Sequence, residues 1–148
     1  LAALSWPVPQ PGLVIRYSYL WRREFLLGQE EGLKDRPCAV VVTHLDENGV
    51  TRVLALPITH SPPIANEPAI EIPAPVMTRL NLDAERSWIV LSEANIFAWP
   101  GPDLRILSGK GPESAAYGFL PPAFFRVVRD RFLAVNREGK SSLVRRTE

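Results

Sequence analysis

Fifteen prolines and nine glycines are spread along a chain of 148 residues, and they limit what it can fold into. A proline inside a helix removes a hydrogen bond and clashes with the preceding turn, so long helices need stretches without it. Only the segment opened by Pro121-Pro122 supplies one here: a helix is predicted from about Pro122 to Arg137. Phe124, Phe125, Val128, Phe132 and Val135 form its apolar stripe, Arg126, Arg129, Asp130 and Arg137 face away, and Gly139 is the stop. The remaining pieces are short and read as strands. Leu13 to Trp21 alternates and reads as a half-buried strand. Pro37 to Leu45 is apolar on both faces and reads as a central strand. Asn48-Gly49 is a hairpin signal, because both residues tolerate positive φ, and Val50 to Ile58 returns as the partner. Ala69 to Ile72 is a short strand, Pro75 to Leu82 one or two helical turns, and Arg86 to Asn95 a strong strand. Pro100 to Gly118 reads as a loop. The expectation is one domain over 1–148: mainly β with one C-terminal α-helix, about five strands in a strongly bent sheet or small barrel.

Apolar residues make up 46% of the chain, enough for a globular core without disulfides or metals. The single Cys38 excludes an internal disulfide framework and a multi-Cys zinc site, and a reducing cytoplasm is the simplest compartment. No run is long enough to span a membrane. The formal net charge is only +1. From Phe119 onward, however, seven bases stand against three acids. A basic region permits contact with phosphate but does not demand it, and a solvated helix face is the better account of most of these residues.

The chemistry-bearing residues collect at two strand ends. No phosphate-binding glycine loop is present, and His44 and His60 lack a second histidine at metal-ligand spacing, so no metal or cofactor is expected. "GLKDRPCAVVVT" (32–43) places Lys34, Asp35 and Arg36 at the entrance of the central strand, and "LALPITHSPP" (54–63) ends its partner with Thr59, His60 and Ser61. A two-residue turn at Asn48-Gly49 would set Thr59 opposite Cys38 and His60 opposite Pro37, with Arg36 emerging beside them. That brings a permanent cation, two hydroxyls and an imidazole to one edge, a set suited to holding a phosphate and stabilising the charge that develops as it is cleaved. Each has a structural alternative. Arg36 can pair with Asp35 or Glu93, Thr59 can satisfy backbone groups at the strand end, and His60 can be an exposed loop residue. Lys34, Arg22 and Arg23 can grip phosphates or solvate a loop. Tyr19, Trp21, Trp88 and Trp99 can stack on bases or fill the core.

"PGLVIRY", "GLKDRPCAVVVT", "VLALPITHS" and "RSWIVLSEANIF", in this order over roughly 11–97 and followed by a final helix, resemble the MazF/PemK/Kid family of bacterial toxin–antitoxin systems. The resemblance implies a small SH3-like barrel of the CcdB/Kid/MazF type, a homodimer, and an antitoxin partner with an acidic tail. It implies metal-independent cleavage of single-stranded RNA, in which the ribose 2′-hydroxyl attacks the adjacent phosphate. The family's Arg before Pro falls on Arg36, assigned to proton transfer or charge stabilisation, and its strand-end hydroxyl falls on Thr59, assigned to positioning the phosphate. His60 is added as an acid or base because imidazoles titrate near neutrality. Lys34, Ser61, Arg22 and Arg23 are the RNA-binding set. Where the family has Gly-Asp the chain has Gly12-Leu13, and Ile96 stands three positions after Glu93 where the family has a base. Glu24, Glu30 and Glu31 add acids in the preceding loop. The alternative is a non-catalytic member that binds a protein, as CcdB-like relatives do, or RNA without cutting it.

Overall fold

The computed structural model describes residues 5–146. Eight strands and three α-helices follow the chain as β1 (Leu13–Tyr17), α1 (Arg22–Leu26), β2 (Arg36–Leu45), β3 (Thr51–Thr59), β4 (Ala69–Glu71), α2 (Ala74–Arg79), β5 (Trp88–Val90), β6 (Glu93–Trp99), β7 (Ala116–Phe119), α3 (Pro122–Arg137) and β8 (Ser142–Arg145). The fold is mainly β with a C-terminal helix. The strands pair in the order β4-β5-β3-β2-β1-β7, with β6 on β3 and β8 on β6, and this path does not close into a barrel among the described residues. All pairs are antiparallel except β6 with β8.

Alternation along the three central strands sorts their side chains into two cores, one on each face of the sheet. Val14, Ala39, Val41, Leu56 and Ile58 join Val76, Met77 and Leu80 of the α2 region and Val128 and Phe132 of α3. Leu13, Ile15, Tyr17, Cys38, Val40, Val53 and Ala55 pack on the opposite face with Tyr19, Phe97 and Leu104. β1 is therefore covered on both faces, where alternation predicts a half-buried strand. It also stops at Tyr17, and Trp21 instead caps α1, where the buried Glu24 carboxylate accepts the Trp21 N–H at 3.0 Å.

Several elements differ from expectation for identifiable reasons. The β2–β3 turn spans Asp46–Val50, because the Asp46 carboxylate accepts the N–H groups of Asn48 and Val50 at 2.9 and 3.0 Å and closes a wider loop than Asn48-Gly49 alone. A bulge between Val40 and Val42 then shifts the register, so Cys38 faces Pro57 rather than Thr59. The strand predicted over Arg86 to Asn95 is two strands: β5 pairs with the end of β3, the chain leaves at Leu91-Ser92, and β6 rejoins β3 nearer its start. The segment 100–118 is largely irregular but ends in a short 3₁₀ turn, Pro112–Ala115, and in β7 on the edge of β1. The helix α3 has the predicted limits, and Gly139 follows it at φ 72°, in the left-handed region that glycine enters freely. Among the described residues no helix is long and apolar enough to cross a membrane.

Candidate functional site

The ends of β1, β2 and β3 that lie furthest from the Asp46 turn open into a cleft of about 1030 Å³. Arg36, the first residue of β2, and Thr59, the last of β3, stand on adjacent strands, and both line it. Lys34, His60, Ser61 and Arg23 line it too; Arg22, exposed on α1, does not. The approach to β2 depends on Gly32. It lies against the backbone of Ser18 and Tyr19, where any Cβ would collide with the Tyr19 carbonyl, and Ser18 Oγ donates to the Gly32 carbonyl at 3.3 Å. That contact anchors the segment running into Lys34–Arg36.

Arg36 is half-buried, and desolvation holds its pKa below the ordinary guanidinium value. Nη1 donates to the Ile58 carbonyl at a long 3.4 Å, the guanidinium lies 4.8 Å from the Trp21 ring centre, and Nε is buried with no acceptor. No carboxylate pairs with it among the described residues. Both of its candidate counterions are engaged elsewhere. Asp35 meets Arg105 at 3.3 Å, and Glu93 accepts the Arg22 N–H at 2.9 Å and the Tyr19 hydroxyl at 3.1 Å. Burial raises the Glu93 carboxyl above the usual range despite those bonds, and burial together with Glu93 raises Tyr19 well above the ordinary phenol value.

Thr59 Oγ1 accepts the Ser61 N–H at 3.1 Å, which fixes the turn and leaves its own proton to donate. His60 is exposed but turned onto the loop before β5. Nε2 is 2.9 Å from Asp83 Oδ2, and Nδ1 is 3.2 Å from the Arg86 carbonyl and 3.0 Å from Ser87 Oγ. Both ring nitrogens are thus occupied. Cys38 is fully buried, and burial pushes its thiol up, away from nucleophile chemistry. Tyr19 and Trp88 are buried; Trp21 is the tryptophan that reaches the cleft. Of the loop acids, Glu24, buried as the α1 cap, also lines the cleft, and its charge favours the Arg36 cation without an ion-pair contact; Glu30 and Glu31 do not line the cleft. No three His, Cys, Asp or Glu residues gather as metal ligands among the described residues.

Sequence reasoning misses four contributors. Asp83 and Ser87 hold His60, and Arg16 lines the cleft stacked on Tyr117, its guanidinium carbon 3.9 Å from the ring centre. Arg16 does carry a signal: it is the one charge inside the apolar run "LVIRY". Comparison with family models, with curated proteins and with solved structures gives no match to this chain.

Proposed function

We propose that this protein is a metal-independent endoribonuclease of the MazF/PemK/Kid kind, cutting single-stranded RNA. The observation that carries it is Arg36, a half-buried guanidinium without a carboxylate partner, beside the strand-end hydroxyl of Thr59 in an open cleft. A cation drawn partly out of water with no carboxylate in contact is costly unless an anion completes it, and a phosphodiester matches its fork.

In this scheme the ribose 2′-oxygen loses its proton and attacks the adjacent phosphorus. The P–O5′ bond breaks, the 5′-oxygen takes a proton, and the products are a 2′,3′-cyclic phosphate and a 5′-hydroxyl. Arg36 stabilises the charge on the non-bridging oxygens, and Thr59 donates its hydroxyl to one of them. Proton transfer falls to Arg36 or to His60 once it releases Asp83 or Ser87. Lys34, Arg23 and Ser61 line the path of the strand, and Trp21 offers a base a stacking face. The mainly antiparallel sheet with a core on each face supports kinship with small SH3-like barrels, and the partners that go with it are a second copy of the chain and an acidic antitoxin.

The exposed Phe25, Leu26 and Leu27 at the end of α1 favour a second reading, in which the chain binds a protein without cutting RNA. Incubation of purified protein with unstructured RNA in EDTA, with fragment ends mapped, separates the two. Cleavage leaving cyclic-phosphate ends is expected, with Arg36→Ala at least about 100-fold slower, the loss typical of removing one donor to a developing oxyanion. RNA left intact by the parent protein refutes the nuclease.

A further inference from the structure

Arg16 repeats, on the other face of the sheet, the arrangement found at Arg36. Alternation from Ile15 and Tyr17 places Arg16 on the side of the α2/α3 core, and Tyr117 packs against that core. Arg36, two residues before Cys38, lies on the opposite side, as does Trp21. The cleft therefore straddles the end of the sheet, with an arginine-on-aromatic pair at each flank. The two arginines sit on neighbouring strands, Arg16 opposite Pro37 and Tyr17 opposite Arg36.

The second pair is built as firmly as the first. Arg16 Nε donates to the Ser114 carbonyl at 2.9 Å, and the guanidinium covers the Tyr117 ring at 3.9 Å. Tyr117 reaches that position through an irregularity in β7, where Gly118 faces Val14 and Ala116 faces Ile15, leaving Tyr117 as the extra residue. Bulges of this kind re-aim a side chain. Arg16 is half-buried and pairs with no carboxylate among the described residues. Arg105, another cation of the cleft, is by contrast balanced by Asp35 at 3.3 Å and Asp103 at 3.9 Å.

We propose that Arg16 on Tyr117 is a second phosphate station, so that the ligand of this cleft is an RNA strand crossing the sheet end with one phosphate at Arg36 and another at Arg16. The station rests on the ribonuclease reading. Anchored through Nε and lying over the ring, the guanidinium keeps Nη1 and Nη2 for an incoming anion, the fork geometry that suits phosphate oxygens. Arg16 touches the strand but not the scissile bond, so it sets how long a ligand must be rather than what is done to it.

The test uses uncleavable 2′-O-methyl RNA, a dinucleotide with a single phosphate and an octanucleotide, titrated into the parent and Arg16→Met at several salt concentrations. The octanucleotide is expected to bind Arg16→Met about tenfold more weakly, with the slope of log affinity against log salt shallower by about 0.7, one phosphate contact on a single strand. Dinucleotide affinity should be unchanged. Equal losses on both ligands, or none on either, overturn the second station while leaving the nuclease in place. Failure of the parent to bind the octanucleotide overturns both. If Arg16→Met does not fold, Arg16→Lys decides the matter: it keeps the charge and the salt slope but loses the fork, so a severalfold loss confined to the octanucleotide is expected, and its absence refutes the assignment.

Discussion

Arg146 and Arg36 both bring a permanent charge out of bulk water, but Arg146 meets its counterion inside the chain and Arg36 does not. The Arg146 side chain is 1% exposed; it pairs with Asp103 at 2.9 Å and donates to Ser18 O, Tyr17 Oη and Asn95 Oδ1 at 2.7, 3.2 and 3.2 Å. Asn95 also bridges to the Leu20 backbone in both directions, so this network ties the segment after β8 to β1 and β6. Arg36 has one long bond to a carbonyl and an aromatic face. One guanidinium is neutralised by an internal carboxylate and serves the fold, although its Nε, like that of Arg36, is buried with no acceptor among the described residues. The other is left incomplete at the mouth of a cleft, the arrangement expected of a group that acts on an anion from outside. The count of basic residues near the C-terminus does not separate these roles: Arg146 belongs to that basic stretch, yet it is structural.

The contrast is open to breaking by mutation. Its largest expected effect is on stability. Arg146→Met takes from the buried Asp103 carboxylate its close partner, leaving only Arg105 at 3.9 Å, and should cost about 3 kcal/mol, read from denaturant unfolding. Arg36→Met removes no internal ion pair and should change stability by less than about 1 kcal/mol. Similar losses for both variants would mean that Arg36 is a structural residue too.

A third kind of buried charge sharpens the comparison and carries the smallest effect. Glu93 receives hydrogen bonds but, among the described residues, no ion pair, and burial raises its carboxyl above the ordinary 4.5. A carboxyl raised in the folded state binds its proton more tightly there than in the unfolded chain. Its contribution to stability is thus complete below the unfolded value and is lost as pH rises through the folded one. Glu93→Gln keeps an oxygen for both donors and has no charge to bury. The variant should therefore gain on the parent in unfolding free energy as pH rises from 4.5 upward. A difference that is flat with pH would show that the carboxylate is not penalised by its site.

What could be read from the sequence is what is decided locally. Helix α3 is legible because its opening proline, its 3.6-residue stripe and Gly139 all lie within its own span. The hairpin is legible as a hairpin, and with it the meeting of Arg36 and Thr59, since both residues sit at the open end of the same strand pair. Its register is not, because the Asp46 side chain reshapes the turn and the bulge at Val41 answers to packing on both faces. β7 and β8 are four-residue strands held by pairing with distant β1 and β6, and nothing in their own residues announces them. Trp21, Tyr117 and Asp83 come to the cleft from remote segments for the same reason. Glu93 is placed at strand β6 by its sequence, but its partners, Tyr19 and the Arg22 amide, are set by where α1 docks.

The most direct measurement follows the two arginine side chains together. In protein labelled at the guanidinium Nε, nuclear magnetic resonance spectra taken while 2′-O-methyl RNA is added should show the Arg36 signal moving in proportion to binding and the Arg146 signal holding still. An Arg36 signal that ignores the RNA, or two signals that move alike, would contradict the claim that the chain leaves Arg36 open for phosphate.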